Sequence, residues 1–205
     1  MLIDGPAAPD FVYVLAHGAG AGMHHPFLAT TARKLAERNV ATVRYDFPYM
    51  AAGKSRVDSP AVATAAVREA VAEAAKRFPG VRIVAGGKSF GGRMTSQAQA
   101  DDPMPGVAGL AFLGFPLHPP GKPGIERAAH LKAVKVPMLF LQGTRDTFAE
   151  LALLQQVVKS LGKRATLSLV EGGDHSFKAP KSAGSPDEIM SRLCDTLCTW
   201  ARGLK

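Results

Sequence analysis

Ser89 sits in Gly87-Lys88-Ser89-Phe90-Gly91, directly after the apolar run Val81-Arg82-Ile83-Val84-Ala85-Gly86. A serine between two glycines, where a strand passes into a helix, occupies a turn too tight for larger neighbours. Such a turn lifts the hydroxyl above the strand ends, where a base can take its proton and its oxygen can attack an acyl carbon. Two later segments offer the partners. Gly143-Thr144-Arg145-Asp146 follows the apolar stretch Val136-Pro137-Met138-Leu139-Phe140-Leu141-Gln142, and Glu171-Gly172-Gly173-Asp174-His175 follows Thr166-Leu167-Ser168-Leu169-Val170. His175 is the candidate base and Asp146 the acid that orients it. Asp174 rivals Asp146, but an immediate neighbour of His175 is poorly placed to bond its ring.

A fourth segment completes the chemistry. Phe11-Val12-Tyr13-Val14-Leu15-Ala16 runs into His17-Gly18-Ala19-Gly20, whose small residues let backbone approach a developing oxyanion. The amides of Ala19 and Phe90 are the candidate donors. Phe47, Tyr49, Met50 and His118 follow strands on the same side and are expected to line a substrate pocket. His24, His25, His118 and Lys122 admit a metal or second-site reading, but residues of this kind in loops more often hold turns together. Lys88 either meets a bound anion or projects into solvent.

Two phosphate-binding patterns fail. Gly87-Lys88-Ser89 resembles the end of a Gly-x-x-x-x-Gly-Lys-Ser cradle, but Arg82 stands where the first glycine belongs. Gly18-x-Gly20 lacks its third glycine, because Met23 holds that place.

Strands alternate with helices along the whole chain, and the apolar runs are continuous, as in a parallel sheet covered on both faces. Helices are expected over 26–39, 60–78, 92–100, 125–132, 148–161 and 186–203, with Ser59-Pro60 capping and opening the second. The count predicts an α/β fold with a reduced, six-stranded, all-parallel sheet in a single domain spanning 1–205. Only ten residues precede the first strand, which leaves little room for an antiparallel hairpin. The segment from Gly114 to the acid strand is too short for a helical cap, so an open site is expected.

The 205 residues carry a formal charge of +8, with Lys and Arg scattered rather than clustered, which argues against a nucleic-acid surface. No apolar run is long enough to span a membrane, and the amino terminus lacks the pattern of a secretory signal. Cys194 and Cys198, at i and i+4 on the last helix, read as two reduced thiols packing one face. A cytoplasmic location is the default expectation.

The order serine, acid, histidine is that of α/β-hydrolases. With His17-Gly18-Ala19-Gly20-Ala21, His25-Pro26-Phe27, Phe47-Pro48-Tyr49-Met50, Gly91-Gly92-Arg93, His118-Pro119-Pro120-Gly121-Lys122-Pro123 and Gly173-Asp174-His175, the chain resembles a small, lidless α/β-hydrolase family. That family also contains testis-expressed hydrolase-like proteins and a subunit of the non-specific-lethal histone-acetyltransferase complex. The resemblance spans nearly the whole chain, and the His-Pro-Pro-Gly-Lys-Pro segment is its most specific part. It implies the α/β-hydrolase fold and the triad already assigned, but no substrate. Phe90 departs from it, since methionine is more familiar there; only the amide of that residue is needed. The expectation is a cofactor-free serine hydrolase (carboxylesterase-like) acting on a small acyl substrate. An interaction protein that keeps the site for binding is the alternative.

Overall fold

The computed structural model describes residues 1–204. Its elements alternate as the apolar runs require: β1 (Leu2–Asp4), β2 (Phe11–Ala16), α1 (Pro26–Ala36), β3 (Val40–Tyr45), α2 (Pro48–Ala51), α3 (Pro60–Arg77), β4 (Ile83–Lys88), α4 (Phe90–Asp101) and β5 (Val107–Leu113). There follow a 3₁₀ segment (Glu126–Ala133), β6 (Met138–Gly143), α5 (Leu151–Leu161), β7 (Ala165–Val170) and α6 (Pro186–Arg202).

The strands form one sheet in the order β1-β3-β2-β4-β5-β6-β7. This corrects the expected six-stranded, all-parallel sheet: the described residues form seven strands, and β1 pairs antiparallel with β3. Three residues suffice for that edge strand because Arg44 of β3 donates from Nε and Nη2 to the Asp4 carboxylate, at 3.0 and 2.8 Å. An edge strand this short has no apolar run to betray it. The other strands are parallel, so their carboxyl ends share one edge of the sheet.

Both faces are buried, which is why the strands are apolar without alternation. In β2, Val12, Val14 and Ala16 pack with α3 and α4, whereas Phe11, Tyr13 and Leu15 join a second core with α1 and α6. Helix α6 lays Ile189, Leu193, Cys194, Leu197 and Cys198 along one face of that second core. Its amino end is closed by a capping box, Ser185 with Glu188. Burial pushes the thiols of Cys194 and Cys198 up to about 12 and about 11, as suits inert packing groups.

Helix α1 stops at Ala36, short of the expected Asn39, which takes a left-handed φ of 61° and bonds Asp10 instead. Between β5 and β6 the only helical segment is the 3₁₀ stretch 126–133, which packs on α4, so no cap covers the strand ends. No helix among the described residues is long and apolar enough to cross a membrane.

Beneath the strand ends, Phe112, Phe115 and Phe140 form a cluster with centroids 4.9–5.7 Å apart. All three are fully buried. Phe140→Ala is expected to cost about 3–5 kcal/mol of unfolding free energy, measured by urea denaturation with an unchanged m-value.

Candidate active site

The site begins with a backbone constraint. Strand β4 ends at Lys88 and α4 begins at Phe90, so Ser89 alone makes the turn, with φ 50° and ψ −116°. That conformation is costly for a residue with a side chain and persists only when its surroundings hold it. Here the Ser89 amide donates to the Leu113 carbonyl at 3.2 Å, and its carbonyl accepts from Arg93 at 3.1 Å. Gly91 lets the new helix lie against β2: a Cβ there would stand 2.6 Å from the His17 carbonyl oxygen.

The Ser89 hydroxyl meets Nε2 of His175 at 2.8 Å, and Nδ1 of His175 meets Oδ2 of Asp146 at 2.7 Å. A carboxylate only accepts, so Nδ1 carries the proton and Nε2 is left to accept from the serine. Asp146 is buried and both of its oxygens are engaged. Its Oδ2 also accepts from Gln142 Nε2 at 2.5 Å, and its Oδ1 accepts from the Phe148 amide at 2.8 Å. Gln142 is in turn held by the Phe115 amide, which donates to its Oε1 at 2.8 Å. Asp174 does something else. Its Oδ1 accepts from the amides of Ser176 and Lys178 at 2.8 and 2.9 Å, shaping the loop that carries His175. The two loops are tied together where the Arg145 amide donates to the Gly173 carbonyl at 2.8 Å.

The loop after β2 is pinned on several sides. His17 is buried, and its Nδ1 donates to its neighbour's carbonyl, Gly18 O, at 2.7 Å. Its Nε2 accepts from the Phe47 amide at 3.1 Å. Further along, the Gly20 amide donates to the Tyr49 hydroxyl at 3.0 Å. The Met23 amide donates to Asp46 at 2.6 Å, and Arg44 donates to the Met23 carbonyl at 2.7 Å.

Ser89 opens into a cavity of about 310 Å³ whose walls include Ala19, Phe27, Leu28, Lys88, Phe148 and His175. A larger hollow of about 800 Å³ lies at the other end of the strands, around Pro9, Gly80, Arg82 and Gly106. It holds none of the groups just described. Among the described residues no cluster of His, Cys, Asp and Glu is placed to hold a metal ion.

The model of the alpha/beta hydrolase domain family matches residues 9–202. The chain belongs to that family. Solved structures agree on the fold. A serine hydrolase homologue from Coxiella burnetii is similar with a TM-score of 0.76 and 19% identity, over 97% of this chain and 89% of that one. A serine hydrolase without a lid from Xanthomonas campestris gives 0.73 and 21%, over 97% and 87%. A dienelactone hydrolase from Anabaena variabilis gives 0.71 and 18%, over 93% and 88%.

In this α/β-hydrolase, Ser89, His175 and Asp146 are brought together and Ala19 lines the same cavity. The residues expected to line the pocket are not. Phe47 and Tyr49 are buried beneath the loop after β2, where the Phe47 amide and the Tyr49 hydroxyl hold it from below. Met50 packs under Gly22 of that loop. His118 is buried too: its Nδ1 donates to the Pro119 carbonyl at 2.9 Å and its Nε2 accepts from the Glu150 amide at 3.1 Å. All four follow strands on the correct edge of the sheet, but their loops fold inward.

The walls come from Phe27 and Leu28, at the start of α1, and from Phe148, whose ring centroid lies 4.4 Å from that of His175. Phe148 falls in the turn before α5 rather than inside the helix expected from 148. An aromatic two residues beyond the orienting acid is the signal that was available for it.

Burial lowers the pKa of His17, opposed by its bond to Gly18 and by Asp46. The neutral ring contributes stability above the ordinary histidine range that is lost as pH falls through the lowered value. Imidazole ¹⁵N NMR is expected to show His17 as the Nδ1–H tautomer, taking up a proton only below the ordinary histidine range. Protonation with an ordinary pKa near 6.5 would contradict that environment.

Proposed function

We propose that the chain is a serine hydrolase that cleaves a small ester, thioester or related acyl substrate through an acyl-enzyme. The observation that carries the reading is the unbroken relay from Ser89 Oγ through His175 to Asp146, at 2.8 and 2.7 Å. Ser89 attacks the acyl carbon while its proton passes to Nε2 of His175. Asp146 holds the imidazole in the accepting tautomer and stabilises the imidazolium that forms.

The oxyanion falls to the amides of Ala19 and Phe90. Phe90 opens α4, so its N–H has no partner within the helix, and the helix start favours negative charge. Each such donor is worth about 3 kcal/mol of barrier. When the tetrahedral species collapses, the leaving alcohol or thiol takes the proton from His175 and the acyl group stays on Ser89. Water then attacks the acyl carbon, giving its proton to His175. The acid departs, and that proton returns to the serine oxygen. No cofactor enters this cycle.

Within the hydrolases, the His118-to-Pro123 segment favours kinship with the testis-expressed and non-specific-lethal relatives over the larger esterases. The absence of a cap supports carboxylesterase-like action on small substrates free in water.

Wild type is expected to hydrolyse short acyl p-nitrophenyl esters and to be labelled by a fluorophosphonate probe. Ser89→Ala and His175→Ala are each expected to lose activity by about 10³-fold or more, and Asp146→Asn by about 10⁴-fold. Activity surviving in Ser89→Ala would overturn the mechanism. A folded wild type with neither turnover nor labelling would turn the reading to a binding protein.

A further inference from the structure

Among the described residues, Lys88 is the one Lys, Arg, Asp or Glu in the cavity wall, which also includes the imidazoles of His25 and His175. It immediately precedes Ser89 at the end of β4, so its side chain leaves the sheet beside the nucleophile. Nζ donates one hydrogen bond, to the carbonyl of His175 at 2.6 Å. The rings of Phe27 and Phe177 lie with centroids 6.0 and 5.7 Å from it, and the bare Cα of Gly114 closes a further side. The two rings cover part of the ammonium, Lys88 stays partly exposed toward the cavity, and two of its three N–H bonds have no protein acceptor among the described residues.

No carboxylate stands within ion-pair distance of Nζ among the described residues, and none lines the cavity. Asp146 is committed to His175 and Gln142, and Asp174 to the backbone of its own loop. A partly desolvated cation without a counter-ion is costly, and an anion arriving in the cavity would supply one. The ammonium and the nucleophile come from adjacent residues. Both line the same cavity of about 310 Å³, so an anion paired with Nζ and an acyl carbon at Ser89 belong to one small ligand.

We propose that Lys88 selects acyl substrates whose acyl part carries a carboxylate close to the scissile carbonyl, such as half-esters of short dicarboxylic acids. This deepens the serine-hydrolase reading and rests on it. The carboxylate accepts from the two spare N–H bonds while the third stays on the His175 carbonyl. A neutral acyl chain of the same length leaves the cation unpaired.

Burial holds the Lys88 amine down to about 8, against the more distant charges of Asp146 and Asp174, which favour the protonated form. The selectivity should therefore be full near neutral pH and fade as pH rises through about 8.

The test is the ratio of kcat/KM for monomethyl succinate to that for methyl butyrate, followed in a pH-stat, with p-nitrophenyl butyrate as an independent check of turnover. Wild type is expected to favour the half-ester by about tenfold or more at pH 7, the worth of a charge-assisted hydrogen bond. Lys88→Met is expected to lose that preference, and Lys88→Arg to retain most of it. A role confined to bracing the His175 loop would instead slow both esters alike in Lys88→Met and leave the ratio unmoved, which overturns the proposal. A wild-type ratio near one, with methyl butyrate turned over, also overturns it while sparing the hydrolase reading. Wild type inert toward all three esters brings both down. Should the variants fail to fold, the wild-type ratio decides alone: a fall between pH 7 and pH 9 supports Lys88, and a flat profile rejects it.

Discussion

The site depends on how closely the end of β4 approaches the end of β2. Ala16 pairs with Gly87 in the sheet, and Gly91 then brings the start of α4 against the backbone of Ala16 and His17. With no side chain in the way, the serine turn and the loop after β2 become one rigid corner. Ser89 is thereby kept at φ 50°, a conformation that costs about 1–3 kcal/mol. The same contact joins the Ser89 turn to the start of the loop that carries Ala19, so the proposed nucleophile and oxyanion donors share a single support. A side chain at Gly91 would push both apart together. Later elements supply His175 and Asp146, and this corner gives them a fixed hydroxyl to meet.

From that corner a chain of buried polar groups runs back into the core. The Phe115 amide holds Gln142, Gln142 holds Asp146, Asp146 holds His175, and His175 meets Ser89. Such networks stabilise a unique geometry only when every member is satisfied. The extra bond from the Phe148 amide meets this condition for the carboxylate. The donors to Asp146 besides His175 are a neutral side-chain amide and a backbone N–H. Its charge is therefore not neutralised by a cation and stays available to the imidazolium of the proposed cycle. Lys88 adds the remaining strut, joining the nucleophile strand to the histidine loop through a backbone carbonyl rather than through the carboxylate.

The groups of this relay are legible in the sequence because each sits within a few residues of a strand's carboxyl end, and those strands are buried on both faces. A continuous apolar run followed by a glycine turn marks such a place without knowledge of the rest. What lies farther along each loop is not marked in that way. Phe47, Tyr49 and Met50 follow β3 on the correct edge, but their loop turns under the His17–Gly22 segment, a path set by the bond from the Phe47 amide to His17 and the bond that the Tyr49 hydroxyl accepts from Gly20. Phe27 and Leu28 look like ordinary helix residues, and only the position of α1 beside the corner makes them a wall. Strand β1 is hidden for a different reason. Three residues bury little, and its pairing rests on Asp4 and Arg44, forty positions apart.

The open top of the cavity limits how such a site can discriminate. With no cap to enclose a ligand, little apolar area can be buried around a small acyl group, and each methylene fully removed from water contributes only about 0.8 kcal/mol. Shape alone then separates similar chains poorly. A charge fixed on the cavity wall acts differently. Phe27, Phe177 and Gly114 already cover it on their sides, so part of its desolvation precedes ligand binding. The gain from pairing it is correspondingly less offset. An uncapped hydrolase of this build can therefore draw selectivity from one preorganised cation, where an enclosed one would draw it from area.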